Sequence, residues 1–283
     1  MTDSLRITLL QTEPRLGDVD GNANRLAEAA SATSNEAPHI AVSPELSLTG
    51  YDLRDRAVDT ALEPGAVARR LARAGSLVVG VPERASDGAL YNSAVHVDGG
   101  RVVHVHRKVY LPTYGMFDEA RIFAAGADVV AYDHGGWRVG LLVCEDYWHP
   151  GLVYALAAQR IELLIAIAAA PGRGVLDDTS ADARFASWQT WRRMAEVYAR
   201  VLGIYVALAN RCGVEEGVTF AGGSFVCGPD GAMLAELGPE PGSATAALSK
   251  AELARQRTPA WHGRDDRPLV VARALLRAEG IDA

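Results

Sequence analysis

Short runs of alternating apolar residues, broken by glycine-centred turns and separated by helix-period segments, set the terms on which this chain can fold. "LYNSAVHVDGGRVVHVHRK" holds two alternating runs around Asp98-Gly99-Gly100, and "VVAYDHGGWRVGLLVC" repeats the device around Gly135-Gly136, so both read as β-hairpins. Other strands are joined through helices. "RITLLQT" (6–12) leads into "DGNANRLAEAA", where Asp20 or Asn22 can cap a helix with Leu26, Ala29 and Ala30 inside. "HIAVSPE" (39–45) is a short buried strand stopped by Pro44. "PGAVARRLARAG" (64–75) starts on proline, ends on glycine and spaces Val67, Leu71 and Ala74 as a helix does. "GLVYALAAQR" predicts another helix, "ELLIAIAAAP" a buried strand, and "RFASWQTWRRMAEVYARVLG" a longer helix with Phe185, Trp188, Met194, Tyr198 and Val201 on one face. "IYVALANRCG" adds a strand and "VTFAGGSFVCGPDGAMLAEL" a hairpin, and a linker near Pro239–Gly242 precedes one last strand. Hairpins mixed with crossover helices predict two packed sheets with helices outside, an α/β fold in four layers. No repeat and no break appears, so residues 1–283 read as a single domain, with a C-terminal arm from about residue 250 that is solvated or covers a subunit.

A net charge of −7 argues against nucleic acid as a partner, because phosphate binding needs a basic face. The longest apolar run, Leu163 to Ala170, is too short to span a bilayer, and no basic leader precedes an apolar stretch at the N-terminus. The three cysteines, Cys144, Cys212 and Cys227, form no CxxC pair, which predicts a reduced protein of the cytoplasm without a disulfide framework.

Three polar residues stand out by position. Glu45 ends the "HIAVSPE" strand, Lys108 ends the second hairpin strand, and Cys144 ends the third. Strand ends at one sheet edge are where α/β folds gather their chemistry. A thiol attacks as thiolate; a neighbouring ammonium lowers its pKa and a carboxylate can take its proton. The same ammonium can stabilise an oxyanion, a contribution of roughly 3–4 kcal/mol for one such donor. Glutamate, lysine and cysteine thus suffice for acyl transfer.

The blander readings are a buried cysteine in the core, or a zinc site from Cys144, Asp146 and His149. The latter spacing of i, i+2, i+5 converges on neither a strand nor a helix, and no fourth ligand is evident. Cys212 and Cys227 read as buried small side chains, and Trp188 and Trp191 as core and interface. His96, His104 and His106 alternate along a hairpin, where one face is expected to meet solvent or an interface.

The motifs in order resemble the nitrilase, or carbon–nitrogen hydrolase, superfamily. "SPELSLTGYDL", "HRKVYLPTYGMFDEARIFAAG" and "LLVCEDYWHP" match its base, lysine and nucleophile segments, and the likeness covers about residues 5–248. The resemblance implies an α-β-β-α sandwich, with Glu45 as general base, Lys108 as oxyanion lysine and Cys144 as nucleophile. It fits the second family glutamate to Glu119 and puts Tyr51, Tyr114 and Phe117 at pocket-lining positions; Glu145 and Trp148, next to the nucleophile, join them as substrate-binding candidates. "CEDYW" with "LPTYGMFDEARIF" looks most like the glutaminase domain of NAD synthetase and its free-standing amidase relatives, rather than nitrilases, which carry Trp-Glu after the cysteine. At "AIAAAPGRG" the sequence departs: Ala169 and Ala170 offer no side-chain hydrogen bond where relatives often carry Ser or Asn. The implied activity is hydrolysis of a small amide through a thioester, without cofactor or metal, in a homodimer or larger homo-oligomer. A carbamoylase is the rival enzyme, and a binding scaffold that kept the fold is the rival of another class. A synthetase domain has no counterpart in these residues, so any ammonia handed onward would go to a separate chain.

Overall fold

The computed structural model describes residues 3–33, 38–172, 186–260 and 262–281. Along the chain run β1 (Ser4–Gln11), α1 (Val19–Thr33), β2 (His39–Val42), α2 (Arg56–Thr60), α3 (Pro64–Arg70), β3 (Ser76–Arg84), β4 (Leu90–Asp98) and β5 (Arg101–Arg107). There follow β6 (Tyr132–His134), β7 (Trp137–Val143), α4 (Pro150–Ala158), β8 (Leu163–Ala168), α5 (Ala186–Leu202) and β9 (Tyr205–Asn210). The rest comprises β10 (Cys212–Glu215), β11 (Val218–Ala221), β12 (Phe225–Cys227), β13 (Met233–Glu236), β14 (Gly242–Ser249), α6 (Lys250–Ala260) and α7 (Pro268–Ala278).

The strands form two six-stranded sheets, ordered β14-β1-β2-β3-β4-β5 and β13-β12-β9-β8-β7-β6, beside a small β10–β11 hairpin. In each sheet the central three strands run parallel and are linked by helices, while the hairpins lie outside them. Both expected glycine hairpins form, as β4–β5 and β6–β7. Alternation explains the layering. On β3, Val78 joins the cluster that spans the two sheets, whereas Leu77, Val79 and Val81 meet Leu26 and Ala30 of α1, Val67 of α3 and Leu71 just after it on the outer face. Each fully buried Leu, Ile or Val contributes about 1.5–3 kcal/mol over its exposed state. α4 and α5 flank the second sheet, completing the α-β-β-α sandwich.

Two local expectations need correction. The α1 helix begins at Val19, ahead of both Asp20 and Asn22: Asp18 Oδ1 accepts the Gly21 N–H at 3.0 Å, and the buried apolar face is Ala23, Leu26, Ala27 and Ala30. On α5 the buried row is Trp188, Trp191, Ala195, Tyr198 and Ala199, and Val201 lies on the outer face, 49% exposed, because at 100° per residue it falls well away from that stripe. Phe185 is outside the described residues. The arm after residue 250 is helical; α7 buries none of its residues, and Leu269 and Leu275 stand 73% and 61% exposed. Among the described residues no helix is long and apolar enough to cross a membrane.

Candidate active site

Glu45 leaves the end of β2 in a turn that lies directly on β3. Gly80 permits this approach: a Cβ there would sit 2.3 Å from the Leu46 nitrogen and 2.6 Å from the Glu45 Cα. Lys108 follows β5, its backbone N–H bonded to the Asn92 carbonyl at 2.8 Å. Cys144 is the first residue after β7 and adopts φ 49°, an uncommon conformation for a side chain with a Cβ. Glu119 lies in a single 3₁₀ turn, Glu119–Arg121.

These elements bring the four predicted residues into one buried cluster. Lys108 Nζ donates to Glu45 Oε1 at 2.8 Å and to Glu119 Oε1 at 2.7 Å, with Lys108 and Glu45 wholly buried. Asn92 Nδ2 bonds the same Glu45 Oε1 at 2.8 Å, and the Ala169 N–H donates to Glu45 Oε2 at 2.9 Å. The missing side chain at position 169 is therefore no loss to Glu45, which is held by the backbone. The Tyr51 hydroxyl donates to Glu119 Oε1. Tyr51 is itself fixed by Glu215, whose Oε1 accepts the backbone N–H groups of Tyr51 and Asp52, each at 2.8 Å. Buried Arg211 neutralises Glu215 at 2.9 Å. Gly50, at φ 83°, must be glycine here: a Cβ would lie 2.5 Å from Glu215 Oε2.

The electrostatics depart from the simple expectation of a lysine-activated thiolate. Burial pushes the Cys144 thiol well above its usual range; Glu45 and Glu119 push the same way, and the pull of Lys108 and the Ala169 N–H does not offset them. Burial would lower the Lys108 ammonium, but Glu45, Glu119 and the thiol reverse it and hold it well above normal. Burial also raises Glu119, with Lys108 opposing and Glu45 adding to the rise. The resting cluster thus holds a protonated thiol beside a charged lysine.

A cavity of about 230 Å³ opens onto Cys144, lined also by Tyr114, Phe117, Glu145, Trp148, Ala170, Pro171, Ser187 and Trp191. Tyr114 Oη donates to Glu145 Oε2 at 2.8 Å, and Trp148 packs edge-on against Trp191. Four of the five pocket candidates are therefore here. Tyr51 is not: it lines a second cavity, about 480 Å³, with Met116, Glu119, Glu215 and Phe220. The larger cavity includes Glu119 but not Cys144, which opens only onto the smaller of the two.

Sequence reasoning missed Asn92 and underused Asp146. Asn92 faces the same side of β4 as Ala94, and a polar residue on that buried face was the available signal. Asp146 and His149 do not join Cys144 in a metal set. Asp146 bonds His106 Nε2 at 2.8 Å, and His149 stacks on Tyr110 with ring centres 3.4 Å apart. The hairpin histidines do not meet solvent as a face: His96 and His106 are buried. Trp188 and Trp191 are buried, 7% and 5% exposed, but Trp191 also lines the cavity at Cys144, a place the expectation of core and interface did not give it.

The description of carbon–nitrogen hydrolases as a family matches residues 6–262. The chain belongs to that family. This carbon–nitrogen hydrolase is 33% identical over 244 residues to a glutamine-dependent NAD(+) synthetase of Rhodobacter capsulatus, covering 84% of this chain and 42% of that one. It is 31% identical to a protein of Pseudomonas protegens named hydrolase in pqqF 5'region, covering 83% and 79% of the two chains. The chain spans only about two fifths of the NAD synthetases it matches, 41% and 42% for two of them. Among solved structures, an amidase mutant from Nesterenkonia sp. AN1, with acrylamide added at its active-site cysteine, superposes with a TM-score of 0.76 at 30% identity, covering 95% of this chain and 99% of that one.

Proposed function

We propose that this hydrolase is a cysteine-dependent amidase acting on a small amide. The observation that carries the reading is a buried Glu45–Lys108–Glu119 hydrogen-bonded set whose neighbouring thiol, Cys144, opens onto a small aromatic-walled cavity. As Cys144 Sγ attacks the amide carbon, its proton passes to Glu45 and the new S–C bond leaves an oxyanion held by Lys108. The C–N bond then breaks as Glu45 returns the proton to the departing nitrogen, releasing ammonia or an amine and leaving a thioester. Water, deprotonated by Glu45, attacks the thioester carbon; the acid departs and the thiolate recovers the proton. A thiol that rests protonated suits this order, because Glu45 takes the proton only as the carbonyl arrives. Glu119 holds the second side of Lys108, and Tyr51 orients Glu119.

The cavity's size favours a short acyl group between Phe117 and the Trp148–Trp191 pair, and the Glu145 carboxylate at its wall favours a substrate with an N–H donor or an ammonium. Glutamine fits that description, and the NAD synthetase relatives lend it support. An ammonia-release screen of primary amides including glutamine, N-carbamoyl amines and nitriles tests the reading. Primary amides should be turned over with at least tenfold higher kcat/KM than matched nitriles; a nitrile or a carbamoyl amine as the best substrate would reverse it.

A further inference from the structure

We propose that the buried Asp146–His106 pair is a positioning strut that sets Lys108 against Cys144, a role that rests on the amidase reading above. The mechanism uses neither residue, yet both are buried, Asp146 wholly so. The carboxylate of Asp146 takes four donors. Oδ1 accepts the N–H groups of Val109 at 3.0 Å and Tyr110 at 2.9 Å, the two residues directly after Lys108. Oδ2 accepts His106 Nε2 at 2.8 Å, from two residues before Lys108, and the Val143 N–H at 3.2 Å, from the residue directly before Cys144. One side chain thus ties the chain on both sides of the lysine to the turn that carries the thiol.

The chemistry of the donors requires a carboxylate. Both oxygens accept at once, whereas an asparagine offers one acceptor and turns an NH₂ toward donors on its other side. The tie crosses from one sheet to the other: β5 carries His106, opposite Ala94 on the inner face, and β7 leads into Asp146. It also braces the turn in which Cys144 is held at φ 49°. The Tyr110–His149 stack and the Tyr114–Glu145 hydrogen bond also join the two segments, but through side chains farther along the chain from Lys108 and Cys144 than Val109 and Val143. A displacement of about 1 Å at such a centre can cost on the order of a hundredfold in rate.

The test compares Asp146→Asn, His106→Phe and His106→Gln with wild type, reading kcat, KM, thermal midpoint and the rate at which iodoacetamide alkylates Cys144. Glutamine can place an N–H where His106 Nε2 lies; phenylalanine cannot. The strut predicts that Asp146→Asn and His106→Phe lose roughly 10- to 100-fold in kcat with KM within about threefold, and that His106→Gln recovers most of the loss. Wild-type kcat in folded His106→Phe, a loss carried by KM, or a glutamine variant no better than phenylalanine would overturn it. If Asp146→Asn fails to fold, the two His106 variants still decide. If wild type hydrolyses no amide, the amidase reading fails by itself, and alkylation judges the strut: at least tenfold slower in His106→Phe with recovery in His106→Gln supports it, and equal rates overturn it.

Discussion

Cys144 combines three properties that rarely meet in one side chain: a left-handed backbone, a thiol driven upward by burial and carboxylates, and an opening onto a cavity. Its reactivity therefore rests on access and on proton transfer at the moment of attack, more than on a standing thiolate. Cys212 and Cys227 differ in access, being fully buried, with thiols pushed up to about 12 by burial. Iodoacetamide should label Cys144 at least tenfold faster than either, as read by peptide mapping, and even labelling would contradict the assigned site. At Lys108, charge and shape separate. Arginine keeps the charge, but its planar fork cannot replace a compact ammonium bonded to Glu45 at 2.8 Å and Glu119 at 2.7 Å. Lys108→Arg and Lys108→Met are both expected to lose at least two orders of magnitude in kcat, on the order of 3 kcal/mol. An arginine variant near wild-type turnover would remove the oxyanion role.

At the scale of elements, the pattern legible in the sequence is the one with a local cause. Both glycine hairpins, the buried row of Val67, Leu71 and Ala74 along α3 and the 3₁₀ turn that follows it, and the strand ends carrying Glu45, Lys108 and Cys144 follow from period and turn chemistry within a few residues. What escaped depends on partners far along the chain. Asn92 meets Glu45 across 47 residues, and Asp146 meets His106 across 40. The β4–β5 histidines show the same limit, because their fate depends on β6. His96 Nδ1 lies 2.8 Å from the Tyr132 hydroxyl, its Nε2 lies 2.9 Å from Ser76 Oγ, and His134 Nε2 reaches the same Oγ at 3.2 Å. His104 stacks on Tyr132 at 4.3 Å. Burial lowers all three histidines, helped at His96 by His134 and His104 and at His104 by His106, while Asp98 opposes the shift at His134; His104 falls from 6.5 to about 4. The sign follows directly. Between those two values the unfolded chain binds a proton that the folded protein refuses, so stability falls as pH is lowered through that window. The thermal midpoint should drop from pH 7.5 to pH 5, and drop less in His104→Phe; an unchanged midpoint at pH 5 would refute the account.

For the molecule as a whole, the telling feature is that the first and last of the described strands are partners. β14 pairs antiparallel with β1 along eight residues, from Ser4 against Ser249 to Gln11 against Gly242, and Leu248 and Ala246 enter the core. Ending the chain after Pro241 would strip those side chains away and leave β1 as a bare sheet edge. Loss of one buried leucine and eight residues of ladder is comparable with a domain's whole net stability of about 5–15 kcal/mol. Such a truncation should show no cooperative thermal transition by circular dichroism, and a midpoint like that of the full chain would contradict this.

The same pairing sets a clock on synthesis. A ribosome releases β1 well before β14, so the ladder between them cannot close until residues 242–249 have emerged. At roughly 5–20 residues per second, β1 waits on the order of ten seconds or more without its antiparallel neighbour. During that interval an apolar strand with a free edge is open to other chains. A nascent polypeptide of this design needs β1 shielded early, and that strand is satisfied only when β14 arrives.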